Sequence, residues 1–151
     1  MLNKLEAIIT RNTTLRKFTL WLITPNNHPC PRLWVKWFVN PFIHKKGKGA
    51  RIRRRRSRID VFPWNQFSVG KNSIIEDFTT INNGAGDVII GDQVIVGIGS
   101  VIIGPVNIGN NVGFGQHTFI AGFNHGYEDE EQNFKEQPLI KKEVVIGQDS
   151  H

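Results

Sequence analysis

Residues 90–121 read IGDQVIVGIGSVIIGPVNIGNNVGFGQHTFIA, and their spacing decides the fold. Every sixth residue is large and apolar: Ile90, Val96, Ile102, Ile108, Phe114 and Ile120. The next position holds Gly91, Gly97, Ile103, Gly109, Gly115 and Ala121, small in all but one case. The fourth offset carries Val94, Ser100, Val106, Val112, Thr118 and Asn124. An earlier run has the same form, with Val69, Ile75 and Ile81 followed at the fourth offset by Ser73, Thr79 and Ala85. A last copy opens at Ile146-Gly147. A period of six matches neither the 3.6-residue stripe of a helix nor simple strand alternation. It matches a short strand and a tight turn, repeated. Lys71-Asn72, Asp92-Gln93 and Asn110-Asn111 fall where corners need left-handed backbone, which Asn, Asp and Gly tolerate. Three such sides make one triangular coil, and stacking the coils joins the aliphatic columns into a continuous core.

The register breaks twice. Three extra residues lie between Ile81 and Ile90, within Asn82-Asn83-Gly84-Ala85-Gly86-Asp87. After His125 the repeat stops until about Val144, and the intervening loop is acidic. Excursions of this length in compact domains are often functional; the alternative is a tolerated surface insertion.

The chain of 151 residues, 39% hydrophobic, is long enough for one ordinary core and too apolar for bulk disorder. Charge divides it in two. Residues 1–58 carry 15 Lys and Arg against one acid, Glu6, whereas residues 59–151 carry 4 against 12. Thirteen of the 15 glycines lie at or after Gly70. We read 1–58 as a basic, aromatic, partly helical extension and 59–151 as the repeat domain, with a loop excursion at about 126–143. Within the extension, Leu5, Ile8, Ile9, Leu15, Phe18 and Leu22 can share a helical face over residues 2–24, and Pro25-Asn26-Asn27 is a stop signal. Residues 31–40, PRLWVKWFVN, read as a short aromatic helix or strand ended by Pro41. A single cysteine, Cys30, excludes an intramolecular disulfide framework and argues against Cys-ligated zinc. No apolar run reaches a membrane span, and MLNKLEAIITRNTT does not read as a signal peptide. These features lead us to expect a cytoplasmic protein.

The hexads IGDQVI, VGIGSV, IGNNVG and FGQHTF, with the ending PLIKKEVVIGQDS, resemble the hexapeptide-repeat acyltransferases. FNHGYEDEEQNFKEQPL looks like the loop after the catalytic histidine in the maltose and galactoside O-acetyltransferase branch, closer still to relatives in polysaccharide and capsule biosynthesis. The resemblance covers about residues 59–151. It implies an all-β, left-handed parallel β-helix and transfer of an acyl group, usually acetyl from acetyl-CoA, to a sugar or glycan hydroxyl. It also implies a homotrimer with active sites between neighbouring β-helices. The family runs on into further hexads and often a C-terminal helix that help line the pantetheine channel. Against that pattern a chain ending at His151 reads as C-terminally truncated.

Attack on a thioester needs a base for the acceptor proton, donors for the oxyanion and a held acyl donor. Histidine suits the base because its ordinary pKa lies near neutrality. His125 matches the family's base; its other reading is a surface loop histidine. Asn83, Tyr127 and Asp129 are the candidate substrate-binding residues, with turn formation the alternative for Asn83. Glu128 or Asp129 can orient His125 or can simply be solvated charge. Direct transfer fits the lack of a convincing nucleophile, since Cys30 lies outside the repeats and reads as an ordinary thiol. No metal is expected. His117 and His125 are eight apart, unlike the closer spacing of gamma-class carbonic anhydrases, and His117 occupies a turn offset.

Six arginines between Arg51 and Arg58 leave several readings open. They can form a solvated basic arm, bind CoA phosphates, pair with a neighbouring subunit's acidic half, or, with Trp34, Trp37, Phe38 and Phe42, touch an anionic membrane. That last reading puts the protein at the inner membrane face as a peripheral enzyme. Nucleic acid is disfavoured, because no recognition motif accompanies the cluster. The rival to an enzyme is a non-catalytic β-helix scaffold whose basic arm binds anionic membrane or nucleic acid.

Overall fold

The computed structural model describes residues 12–26, 28, 30–53, 56–133 and 136–151. Most of them form a solenoid of about four turns whose strands stack in parallel. Each coil contributes one short strand to each of three faces. The first face holds β1 (Lys45–Lys46), β4 (Phe67–Val69), β7 (Val88–Ile90), β10 (Val106–Ile108) and β15 (Val144–Ile146). The second holds β2 (Arg51–Ile52), β5 (Ile74–Ile75), β8 (Ile95–Val96) and β11 (Gly113–Phe114). The third holds β3 (Arg58–Asp60), β6 (Thr80–Asn82), β9 (Val101–Ile103) and β12 (Phe119–Ala121). The only antiparallel pair among the described residues is β13 (Phe123–His125) with β14 (Leu139–Lys141).

The hexad aliphatics point inward as the period requires. Val69, Ile75, Ile81, Ile90, Val96, Ile102, Ile108 and Ile120 are buried, and Phe114 packs against them. Phe67, Val88 and Val106 join this core from the first face, where three-residue strands turn their first and last side chains inward. Burial of such a side chain is worth roughly 1.5–3 kcal/mol.

Corners explain the small slot. The buried Ser73 hydroxyl donates to the Gly91 carbonyl at 2.7 Å and accepts from the Val94 N–H at 3.0 Å, tying two coils together. At the first corner Asn72, Gln93, Asn111 and Asp149 all take left-handed angles, φ 54 to 61°. The Asn111 side-chain amide donates to Asp149 Oδ1 at 2.8 Å, and Asn110 Oδ1 accepts from Asp92 N at 2.8 Å.

The long departures from the six-residue period fall at the third corner, between the third face and the next strand of the first; one extra residue also lies at the second corner of the first coil, where Ile52 and Ile59 stack on Ile75 and Ile81. Residues 61–66, 83–87, 104–105 and 122–143 connect there in successive coils. The two breaks seen along the sequence therefore share one corner, two coils apart, with the short 104–105 connection between them. Beneath the loops this corner is tight. A Cβ on Gly104 would run into the Gly86 carbonyl oxygen and lie 2.7 Å from that of Asp87.

Strands begin earlier than the hexads suggest. β1, β2 and β3 lie before or at residue 60, within the stretch read as basic extension, with Arg51 and Arg58 as strand residues. Ahead of them, helix α1 (Thr13–Ile23) is capped by Asn12, whose Oδ1 accepts from Thr14 N and Leu15 N at 3.1 Å each. Leu5, Ile8 and Ile9 lie outside the described residues. Pro41 does not end the aromatic segment. A π-helical turn at Val35–Val39 runs into a short helix, α2 (Asn40–Ile43), with Pro41 near its start. A proline ring clashes with the carbonyl four residues back and brings no N–H. The wider turn, with Asn40 N bonded to Val35 O, accommodates it.

This helical segment closes the base of the solenoid. Val35 is fully buried, Asn40 Nδ2 donates to the Val61 carbonyl at 2.7 Å, and Lys36 pairs with the buried Asp60 carboxylate at 2.7 Å. The His44 ring packs edge-on against Phe67, 5.8 Å between centroids, and neither ring nitrogen has a hydrogen-bond partner among the described residues. Burial lowers its pKa below the ordinary 6.5.

Two outcomes follow for stability. Gly104→Ala is expected to cost about 1–3 kcal/mol through overpacking, read as a lower Tm. The folded chain resists protonating His44, so below pH 6.5 the unfolded state binds more protons. That part of the stability is present above pH 6.5 and is lost as the pH falls toward the lowered folded-state value. Denaturant midpoints of His44→Phe should fall less steeply with acid over that window than those of the wild type.

Candidate active site

The third corner also holds a cavity of about 940 Å³, within the range of small-molecule sites. Its floor is the solenoid edge at Asn82, Gly84, Ala85 and Ile103. One wall is the 62–64 loop, where the Phe62 and Trp64 rings stack at 4.5 Å. A second wall is α1, through Lys17, Leu20 and Trp21. The third is the hairpin of β13 and β14, through Phe123, His125 and Leu139. The lining is mostly apolar and aromatic, with His125 and Lys17 as its ionisable side chains.

The hairpin forms because Gly122 lets the chain leave the coil. Its N–H still bonds Ile103 O at 2.9 Å, as a coil residue would. The regular hexads therefore stop at Ala121, and Asn124 is not the small residue of another corner. It lies on β13, opposite Ile140. Return is equally local: Lys142 N donates to Gly122 O at 2.9 Å and Val144 N to Pro105 O at 3.1 Å, which restores the stack.

Alternation along β13 puts Phe123 and His125 on one side of the hairpin. Leu139, the direct cross-strand partner of His125, shares that side. All three line the cavity. The imidazole is exposed to it and lies edge-on to Phe123, 5.9 Å between centroids. An accessible imidazole beside an apolar cleft is suited to exchanging a proton with a bound hydroxyl.

The remaining sequence candidates fare differently. Asn83 is fully buried, and its side chain serves the chain itself. Oδ1 accepts from Phe62 N at 2.6 Å, while Nδ2 donates to the carbonyls of Phe62 at 3.0 Å and Asn65 at 2.8 Å. The side chain is buried and braces the loop carrying Phe62 and Trp64. Tyr127 is exposed on the excursion. Asp129 Oδ1 accepts from Glu131 N at 3.0 Å, and Gln137 Nε2 donates to the Asp129 carbonyl at 2.7 Å, so Asp129 shapes the loop. His117 is a left-handed turn residue, φ 56°, at the second corner, and its ring lies over Gly99 of the previous coil. Cys30 lies with its Sγ 2.7 Å from His28 Nδ1, in the connection between the two helices.

The arginine cluster bends around the second corner of the first coil. Arg53 pairs with Asp77 at 3.0 Å, Arg56 sits 6.0 Å above the Phe78 ring, and Arg58 pairs with Asp60 at 3.1 Å. Arg54 and Arg55 lie outside the described residues. Among the described residues no three His, Cys, Asp or Glu side chains converge on a point that could hold a metal ion, and no helix is long and apolar enough to cross a membrane.

Phe62, Trp64 and Trp21 are the cleft residues that the hexad reading does not reach. The available signal is Phe62-Pro63-Trp64, immediately before the first hexad strand. No protein-family model, curated protein or solved structure matches the chain.

Asn83→Ala is expected to strand buried groups of the 62–66 loop at about 1–3 kcal/mol. Thermal unfolding should show the loss, and limited proteolysis should cut that loop faster.

Proposed function

We propose that this protein is an acyl-CoA-dependent O-acyltransferase with His125 as its general base. The observation that carries the reading is the Phe123–His125–Leu139 side of the hairpin, which lines an aromatic cleft at the corner where the long interruptions of the repeat fall. The resemblance of the hexads and of the following loop to the hexapeptide-repeat acyltransferases supplies the reaction class.

In this mechanism a sugar or glycan hydroxyl lies in the cleft within reach of the imidazole. The imidazole takes the hydroxyl proton as the oxygen attacks the thioester carbonyl carbon. The C–S bond then breaks, and the thiolate leaves with a proton as free CoA. Transfer is direct, in a ternary complex, without an acyl-enzyme. Lys17 offers a cationic contact for an anionic donor such as acetyl-CoA. The Trp64 ring, stacked on the buried Phe62, offers a flat apolar surface to the acceptor.

Thiol release from acetyl-CoA in the presence of hexose and hexosamine acceptors tests this directly. His125→Ala is expected to lower kcat by about 10²–10⁴-fold with the Tm unchanged. Equal turnover in that variant would remove the assigned base.

A further inference from the structure

The helical base of the solenoid displays large apolar side chains on a rigid mount. Trp37, Phe38 and Phe42 are 69%, 68% and 88% exposed, and Leu33 is nearly as open. Their segment is nonetheless anchored, by Val35 in the interior, Asn40 on Val61 and Lys36 on Asp60. The same anchors that bury one side hold the aromatic side outward.

Helix α1 extends this surface. None of its residues is buried, and Phe18 and Trp21 stand exposed with their rings 5.9 Å apart. The helix is tied to the aromatic segment by Arg32 Nε donating to Trp21 O at 3.0 Å and Trp34 Nε1 donating to Leu22 O at 3.2 Å. Arg32 also caps the Trp21 ring face at 5.3 Å.

Charge on this surface has one sign. Every charged side chain from Asn12 to Ile59 is Lys or Arg. Trp37, Lys45 and Lys46 border the same cavity of about 450 Å³, so the aromatic and basic groups are adjacent in space and not only in sequence. Soluble monomers seldom display so many large apolar side chains together. Tryptophan and phenylalanine beside lysine and arginine suit the boundary of an anionic bilayer, where rings settle at headgroup depth and cations meet lipid phosphates. A nucleic acid would use the cations but gives no reason for aromatic side chains held outward across a helical surface. A second copy would bring the same positive charge to the interface.

We propose that the outer surface of residues 33–43, together with α1, docks this protein peripherally on an anionic lipid bilayer. The inference stands independently of the chemistry assigned to His125. Lys17 and Trp21 of α1 also line the cleft, so docking holds the cleft beside the lipid surface.

Co-sedimentation of the full chain with phosphatidylcholine vesicles, with and without phosphatidylglycerol, tests the proposal. Binding is expected only with the anionic lipid, and it should weaken with added salt. The triple variant Trp37→Ser, Phe38→Ser, Phe42→Ser should partition about tenfold or more weakly. Phe42→Ser alone should show a smaller loss in the same direction, and it guards against misfolding of the triple variant because its ring is almost wholly in solvent. Lys45→Gln with Lys46→Gln should reduce the dependence on phosphatidylglycerol. The proposal is overturned if the wild type ignores anionic vesicles or if well-folded patch variants bind them equally. It is also overturned if these substitutions abolish self-association or oligonucleotide binding while vesicle binding is absent.

Discussion

Strands of two or three residues have no stability of their own, so the backbone ladder between successive coils is the constraint on which everything else rests. Each inner strand passes its hydrogen bonds to the coil before and the coil after. The ladder holds only if equivalent residues stack on one another. That requirement places Ile81 beside Ile102 and Ile102 beside Ile120, and so turns scattered aliphatics into columns. It also dictates the corners. Ser73 sits inside its turn and bonds the backbone of the next coil, where the equivalent buried residue is Val94.

At the third corner the ladder is kept while the chain above it is free to wander. Gly104 and Gly122 hold the backbone close, and the loops they release stand outside the prism. Asn83 fixes one of those loops from within, through four hydrogen bonds to the backbone of residues 62–66. The hairpin carrying His125 leaves and re-enters beside Gly122. A rigid edge, a braced aromatic wall and a displaced hairpin thus meet at one place. This arrangement suits a site that needs a fixed floor and adjustable sides.

The solenoid was legible because its rule repeats: a large aliphatic every six residues is visible without knowing what it touches. Phe67, Val88 and Val106 escape that rule, since the first face turns two side chains inward per strand and the hexad count records only one. The first coil escapes it because arginine occupies strand positions at Arg51 and Arg58, where the side chain points outward and polarity is tolerated. Pro41 misleads for a local reason, since a widened turn absorbs it. The prominence of His125 could be read from the break in the repeat, but its surroundings could not. Trp21, Trp64 and Phe123 are far apart along the chain, and only stacking at a shared corner brings them together. Asn83 marks a real irregularity; whether its amide faced a ligand or the backbone depended on burial, which a lone sequence does not display.

The uneven spacing between coils has one more consequence. Val94 meets Ser73 across a separation of 21 residues, whereas Asp92 meets Asn110 across 18, and both land in phase. From Phe67 onward, two edges of the prism behave as a ruler and the third as a slack length of cord. Segments can be lengthened, shortened or exchanged at that third edge without disturbing the count elsewhere, so new specificities can be tried on a frame that never has to refold differently.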